Sequence, residues 1–307
     1  MSVPEKHHYL PVWYLDRWAK EGKVMRFVRP RGAEHPLHMT LKPPSAICYE
    51  RDLYAIPTEA DPRERQRLEV DFYQRIDDRA AVAFTKIDRE EEGTGDDRVA
   101  FAQFVLSLAL RNPEVIRHSR EELRGRIGPE ASECDIEDLL TAHVNTLLAD
   151  IIQSPTSIER VGRMKVFKIV LNRARRSLLT SDRPTMLSMN VPGRDGFIVF
   201  PYGPDRLIVL ANDQEVAQAF YSQDHNSLAN AVNEAVVLQA KSVIIACDDK
   251  ERAFIEERFL RLDAVAADAL DDNGMVRWKS PLTRLGPTGK RRFLIGTAKG
   301  GFSYLIS

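Results

Sequence analysis

The strongest constraint on the fold is a stripe of apolar residues along the segment from Pro62 to Asp88. Most neighbours in the stripe are three or four residues apart, the spacing that places side chains on one face of an α-helix. The segment from Val99 to Ala109 is apolar on nearly every side and predicts a helix buried all round. These two segments together predict a helical body. The stripe consists of Leu68, Phe72, Ile76, Ala80, Ala83, Phe84 and Ile87.

The pattern changes after about residue 176. Further helices are predicted over 114–126, 135–152 and 158–171, whereas the later sequence contains short β-rich runs separated by turn residues. These runs include Phe197–Phe200, Leu207–Leu210 and Val243–Cys247, and the tail adds Arg291–Ile295 and Phe302–Ile306. We therefore predict an α+β fold, a helical body packed on a mainly antiparallel sheet. It is predicted as one domain over 1–307, helix-rich in 1–176 and sheet-containing in 177–307.

Composition is typical of a soluble globular protein, with 43% hydrophobic and 29% charged residues. No run approaches the roughly 18 apolar residues of a transmembrane helix, and the first residues lack the apolar centre of a signal peptide. The three cysteines are far apart and fit a reducing cytosol better than a zinc-thiolate site. We therefore expect a cytoplasmic protein that does not bind membranes.

Several short motifs follow one another in a characteristic order. The chain opens with His7-His8-Tyr9-Leu10-Pro11, and its long helix carries the acids Glu69 and Asp77. The later motifs are Arg111-Asn112-Pro113, Ser181-Asp182-Arg183-Pro184, Phe200-Pro201 and the asparagines Asn226, Asn230 and Asn233. In this order the motifs resemble the DUF4238 family of uncharacterised bacterial proteins, over roughly residues 7 to 250. Asp77 departs from the family pattern, where a glutamate is more usual. Because the family has no established activity, the resemblance implies a fold more than a function.

The paired histidines and Asp182 are candidates for a metal site. Neutral imidazole is a good ligand or base near neutral pH, and a carboxylate can orient it. Adjacent residues in a strand point to opposite faces, so His7 and His8 need a turn to bind one ion together. A structural role remains the alternative, with one histidine capping the helix after Pro11 and Asp182 accepting backbone N–H bonds in its turn.

The two acids of the long helix form a second candidate. Glu69 and Asp77 are eight residues apart, about 80° of rotation and about 12 Å of rise on a regular helix. They can line one groove but cannot chelate one ion together. Apolar neighbours imply partial burial, and a buried carboxylate needs a partner such as Arg111 or a histidine. Both a structural ion pair and a catalytic acid or base fit this pattern.

Two other catalytic patterns have less support. Arg111 and His118 have a spacing similar to the Arg–His motif of all-helical HEPN-type ribonucleases, but this pattern is common by chance. Ser181 lacks the glycine-flanked elbow of a serine nucleophile. A helix C-terminal charge or a carboxylate partner is the alternative role for Arg111.

The segment from Arg160 to Arg176 carries seven basic residues and no acid, although the whole chain has a net charge of −1. Projected as a helix, its cations occupy one side and its apolar residues the other. The sequence therefore predicts an amphipathic helix over 160–176 that either is a solvated surface or contacts nucleic acid. Its predicted contact residues are Lys165, Lys168, Arg173, Arg175 and Arg176.

Two hypotheses follow for the whole chain. In the first, the protein is a metal-dependent phosphodiesterase or nuclease that acts on nucleic acid, in bacterial defence for example. Its catalytic residues are then His7, His8, Glu69, Asp77, Arg111 and Asp182, with Mn²⁺ or Zn²⁺ bound by His7, His8 and Asp182. In the second, the protein is a non-catalytic binding or interaction protein whose polar motifs are structural hydrogen-bond networks.

Overall fold

The computed structural model describes residues 5–126, 133–260, 277–279 and 294–295. A π-helical turn, Leu68–Tyr73, lies between α2 and α3, and 3-10 turns occur at Asp16–Trp18 and Pro44–Ala46. The helices are α1 (Val12–Leu15), α2 (Pro62–Arg65), α3 (Gln74–Arg89), α4 (Gly95–Leu110), α5 (Pro113–Arg124), α6 (Glu133–Gln153), α7 (Pro155–Gly162), α8 (Gln214–Tyr221), α9 (His225–Gln239) and α10 (Arg252–Arg258).

The strands form three sheets. The strands are β1 (Lys6–His8), β2 (Val24–Val28), β3 (His38–Lys42), β4 (Tyr49–Arg51), β5 (Lys165–Val170), β6 (Thr180–Ser181), β7 (Met186–Ser188), β8 (Phe197–Gly203), β9 (Arg206–Ala211), β10 (Ile244–Ala246), β11 (Arg277–Lys279) and β12 (Leu294–Ile295). Their orders are β1-β4, β3-β2-β10-β6 and β12-β11-β7-β8-β9-β5. Only the β11–β7 pair, among the described strands, is parallel. Helices packed against antiparallel sheets confirm the α+β prediction.

The described residues form two compact units. The first unit comprises the described parts of Met1–Pro11 and Ile47–Gly162, and the second comprises those of Val12–Ala46 and Arg163–Ser307. Both units are therefore discontinuous in sequence. The first contains the two-stranded sheet and helices α2 to α7, and the second contains the two larger sheets with α1, α8, α9 and α10.

Capping residues define the helix ends of the first unit. Asp61 accepts hydrogen bonds from the N–H groups of Arg63 and Glu64 at 2.9 and 3.0 Å, and Pro62 stands where a missing N–H costs little. Thr94 and Asp97 form a reciprocal capping box at the start of α4. These local signals explain why the predicted boundaries of this region are close to the observed ones.

The predicted helical stripe is buried against α4. The ring of Phe84 lies 5.1 Å from that of Phe101 and 5.2 Å from that of Phe104. Because α4 is apolar on most sides, it can serve as the centre around which the other helices of this unit pack. The long helix over 62–88 is present, but a π-helical turn interrupts it.

The core of the second unit lies between one face of the six-stranded sheet and helices α8 and α9. Alternate residues of β8 and β9 face these helices because side chains along a strand point to opposite sides. The ring of Phe197 contacts that of Phe220 at 5.2 Å. The sheet contributes Phe197, Val199, Leu207 and Val209, and the helices contribute Val216, Phe220, Val232 and Val236.

The prediction of a basic helix over 160–176 is wrong. Helix α7 ends at Gly162, and the chain then forms β5 and a turn. Strand β5 pairs with β9 along its whole length, from Lys165 opposite Ala211 to Val170 opposite Arg206. The segment is rich in branched and aromatic residues, which suit a strand, and cross-strand pairing outweighs its helical pattern.

Part of the predicted tail lies within the described residues. Leu294–Ile295, at the end of the predicted strand over 291–295, is a strand that pairs with Arg277–Lys279. The other predicted strand, Phe302–Ile306, lies outside the described residues.

Candidate functional site

His7 is fully buried on the edge of the two-stranded sheet. Its Nδ1 accepts a hydrogen bond from the backbone N–H of Tyr54 at 2.9 Å, and its ring stacks on the Tyr54 ring at 5.5 Å. A histidine that accepts at Nδ1 and is neutral carries its proton on Nε2. Metal binding by His7 therefore requires loss of the bond to Tyr54 or of the Nε2 proton.

His8 lies on the other side of the strand. Its ring is half-buried and contacts the ring of Tyr49 at 5.4 Å with an angle of 57°. Because His7 and His8 are consecutive in an extended strand, their side chains meet different neighbours.

The two acids of the long helix are brought together with Arg111. Glu69 belongs to the π-helical turn, Asp77 to the first turn of α3, and Arg111 follows the end of α4. We call these three residues the acid–arginine cluster. Short π-helical segments are unstable on their own and frequently occur at functional sites.

The guanidinium of Arg111 is completely buried and is held from several sides. Its Nε donates to the carbonyl of Tyr9 at 3.0 Å, and its Nη1 donates to Asp77 Oδ2 at 3.1 Å. The ring of Tyr73 lies 5.7 Å from the guanidinium carbon, and Tyr54 Oη donates to the Arg111 carbonyl at 2.9 Å. Arg111 contacts a carboxylate, which is one of the roles that the sequence left open for it.

One polar atom of each member of the acid–arginine cluster is buried without a hydrogen-bond partner among the described residues: Glu69 Oε2, Asp77 Oδ1 and Arg111 Nη2. Asp77 Oδ1 lies 2.9 Å from Arg111 Nη1, close enough for an ion pair but without hydrogen-bond geometry. Buried polar groups in folded proteins are nearly always paired, so such atoms need an explanation. A ligand or water that supplies both donors and acceptors would pair them.

Burial controls the ionisation of both carboxyl groups. Burial raises the pKa of Glu69 to about 7, with Arg111 opposing the shift and Asp77 reinforcing it. Burial also raises the pKa of Asp77 to about 6, again against the effect of Arg111. Glu69 is therefore able to take up or release a proton near neutral pH, as a general acid–base catalyst must.

Asp182 has a different environment, in the second unit. Its Oδ2 accepts from the N–H and the hydroxyl of Ser242, each at 3.0 Å, and both oxygens lie 3.2 Å from the N–H of Lys241. Burial raises the pKa of Asp182, whereas these hydrogen bonds lower it. The carboxylate therefore fixes the backbone that enters β10. Next to it, Ser181 Oγ accepts from the N–H of Arg183 at 3.2 Å.

The predicted nucleic-acid residues are distributed over β5 and the following turn. The backbone N–H groups of Arg173 and Arg175 donate to the side chains of His225 and Asn226, which fixes this turn against the start of α9. The side chains of Lys165, Arg173 and Arg175 are exposed, and Lys168 is half-buried. Arg176 is paired with Glu251.

The arrangement offers little support for the Arg–His ribonuclease pattern. Arg111 is buried in the acid–arginine cluster, whereas His118 is half-buried and its imidazole lies 3.9 Å from Glu122.

Sequence reasoning missed four residues around the cluster: Tyr54, Tyr73, Gln66 and Asn145. Tyr73 could have been found, because it stands four residues after Glu69 and four before Asp77. Tyr54 and Asn145 come from segments that only the fold brings to the long helix, and Gln66, which lies in that helix, is fixed by Asp52 from outside it.

Across the described part of the chain, no group of three or more histidine, cysteine, aspartate or glutamate side chains is arranged to hold a metal ion. In the same part, no single helix has the length and apolarity to cross a membrane. Helices α4 and α5, which are bent by 66° relative to each other, reach this length and apolarity only when they are taken together. They do so by length and composition alone.

The chain matches the model of a known protein family. No curated protein and no solved structure matches the chain. The family model described as "Protein of unknown function (DUF4238)" matches residues 6–250, which confirms the predicted resemblance. The chain therefore belongs to the DUF4238 family.

Proposed function

We propose that this protein is a hydrolase that cleaves phosphodiesters of nucleic acid by general acid–base catalysis in the acid–arginine cluster. The observation that carries the proposal is the buried Glu69 carboxyl, with a pKa of about 7 and an unpartnered oxygen, in the field of a buried arginine. Perturbed carboxyl groups beside a specific charge partner are typical of catalytic sites.

In the proposed reaction, the Glu69 carboxylate takes a proton from water as the water oxygen bonds to phosphorus. Arg111 donates from Nη2 to a non-bridging phosphate oxygen and so stabilises the charge that develops there. Asp77 holds the guanidinium in place through its ion pair. The bond from phosphorus to the leaving oxygen breaks, solvent water protonates that oxygen, and Glu69 returns its proton to solvent. A pKa near 7 suits both proton transfers.

Nucleic acid as partner and the cytoplasm as location belong to the same proposal. The exposed cations of β5 and the following turn support it, because basic side chains provide most of the affinity for a phosphate backbone. The predicted Mn²⁺ or Zn²⁺ site at His7, His8 and Asp182 stays a prediction, and the assay below tests it.

A non-catalytic interaction protein is the second candidate. It is favoured by the backbone N–H bonds that His7 and Asp182 accept, because such bonds are what a structural network requires. In that case the acid–arginine cluster holds the first unit together and has no substrate.

The test is cleavage of labelled single-stranded RNA, single-stranded DNA and duplex DNA by the purified full-length chain, with EDTA, Mg²⁺, Mn²⁺ or Zn²⁺. Glu69→Gln keeps the shape of the side chain but removes the titrating group. We expect it to lower the cleavage rate by about 10²- to 10⁴-fold, the usual contribution of a general base. Asp97→Asn, which weakens the capping box of α4, serves as a control for lost stability.

The outcomes separate the candidates. The proposal is supported if Glu69→Gln lowers the cleavage rate while Asp97→Asn, per folded molecule, cleaves at the wild-type rate. Metal-dependent cleavage that is lost in His8→Ala or Asp182→Asn supports the predicted metal site. Absence of cleavage of every substrate under every condition contradicts both and favours the interaction protein.

A further inference from the structure

A tight turn in the first unit connects the acid–arginine cluster with two buried amide side chains. The turn is closed by a hydrogen bond from the N–H of Ala55 to the carbonyl of Asp52 at 3.0 Å. Asp52 has a φ of 54°, a left-handed conformation that non-glycine residues seldom adopt. Such backbone strain occurs most often where function requires a particular geometry.

Both amides are fixed by the same turn. Asn145 Nδ2 donates to the carbonyls of Leu53 and Ala55 at 3.0 and 2.9 Å, and Gln66 Nε2 donates to Asp52 Oδ1 at 2.5 Å. The two hydrogens of the Asn145 amide are both used, so its orientation is determined and its oxygen must face away from the turn.

The oxygens of these amides are buried and accept no hydrogen bond from the part of the chain that the structure describes. Asn145 is 2% exposed and Gln66 is 6% exposed, and neither Asn145 Oδ1 nor Gln66 Oε1 has a partner in that part. An acceptor that is buried, oriented and unpaired destabilises the fold unless something donates to it.

The turn also contacts the acid–arginine cluster. The ring of Tyr54 lies 4.2 Å from that of Tyr73, and its hydroxyl donates to the carbonyl of Arg111. Helix α6, which carries Asn145, packs on the π-helical turn that carries Glu69. These contacts thus connect the residues that carry the unpaired amide oxygens with Arg111, which carries the unpaired guanidinium nitrogen.

We propose that Gln66 and Asn145 form a subsite for the nucleoside part of a nucleotide, which they recognise through its hydrogen-bond donors. This inference rests on the proposed function, because it takes Arg111 as the group that holds the phosphate. The donors come from the ribose hydroxyls or from an exocyclic amino group of the base, since either pairs with an amide oxygen. The subsite therefore accepts hydrogen bonds from the nucleoside, whereas the cationic Arg111 of the acid–arginine cluster donates to the phosphate.

The test measures binding of inorganic phosphate, AMP, 2′-deoxy-AMP and IMP to the full-length chain by titration calorimetry. We expect AMP to bind at least 10-fold more tightly than inorganic phosphate. If 2′-deoxy-AMP binds more weakly than AMP, the ribose hydroxyl is the donor. If IMP binds more weakly than AMP, the exocyclic amino group is the donor.

Gln66→Met is the informative variant, because it keeps the length of the side chain and removes the amide oxygen. We expect it to weaken AMP binding about 10-fold and to leave phosphate binding unchanged. Gln153→Met, at an exposed position of α6, is the matched control and is expected to change neither affinity. A thermal melt of each variant verifies that it is folded.

Two results overturn the inference. If AMP binds no more tightly than phosphate, the amide oxygens are paired by ordered water only. If folded Gln66→Met keeps the full preference for AMP, the donors of the nucleoside are recognised elsewhere. Binding of AMP that depends on Gln66, together with no binding of phosphate, instead contradicts the role of Arg111 in the proposed function and leaves the subsite intact.

Discussion

Burial raises the pKa values of Glu69 and Asp77. Arg111 carries the charge that lowers both of these pKa values. The sequence indicated Arg111 or a histidine as the partner, because a carboxylate buried beside apolar residues needs one. It could not indicate Gln66 or Asn145, because their role depends on a turn formed 14 and 90 residues away. Tertiary contacts of this kind leave no local spacing to detect.

The raised pKa of Glu69 predicts a pH dependence of stability. Its folded-state pKa of about 7 lies above the ordinary pKa of 4.5, so the folded state binds more protons between these values. Stability is therefore greatest below pH 4.5 with respect to this group, and it is lost as the pH rises through 7. The loss is on the order of 3 kcal/mol, from about 1.4 kcal/mol for each pKa unit.

Urea unfolding of the wild type and Glu69→Gln at pH 5, 6, 7 and 8 measures this effect. The unfolding free energy of the wild type should decrease between pH 5 and 8, and that of the variant should decrease less. Asp77 should account for a further part of the decrease at lower pH. Identical pH profiles for the two proteins would show that Glu69 titrates normally.

At the scale of secondary-structure elements, local signals and tertiary pairing decided different parts of the fold. Helices α2, α4 and α5 were predictable, because Asp61, Thr94 and Asn112 cap their first turns and are local signals. Strand β5 was not predictable, because Val166, Phe167 and Val170 fit an amphipathic helix as well as a strand. Pairing with β9 determines the result, and that partner lies about forty residues later.

Helix α9 offers a prediction with a control on the same element. Asn233 is fully buried, where its Oδ1 accepts from the N–H of Leu179 at 2.8 Å and its Nδ2 donates to the carbonyl of Ser177 at 2.9 Å. Asn233→Leu leaves two backbone groups unpaired, and we expect a loss of about 2–4 kcal/mol of unfolding free energy.

The control for that loss is Asn230→Leu, because Asn230 is exposed on the same helix. Its expected change is within about 0.5 kcal/mol, as for most surface substitutions. Denaturant unfolding measures both variants. Equal losses in the two would mean that the helix, rather than the bonds of Asn233, determines the effect.

At the scale of the whole molecule, each compact unit has its own buried polar network. The first contains the acid–arginine cluster, and the second contains Asp182 with Lys241 and Ser242. From the sequence alone, both networks had equal support as candidate catalytic sites. The structure separates them by their hydrogen bonding, since Asp182 is paired with backbone groups whereas Glu69 keeps an unpartnered oxygen. The single domain over 1–307 stays a prediction.

The most direct test of Glu69 as a proton donor is the titration of its carboxyl carbon by ¹³C NMR in the full-length chain, with Glu69→Gln to assign the signal. We expect a midpoint near pH 7, because burial in the acid–arginine cluster raises the pKa of this group. A midpoint near the usual 4.5 would contradict it, because Glu69 would then be an ordinary carboxylate and a poor proton donor at neutral pH.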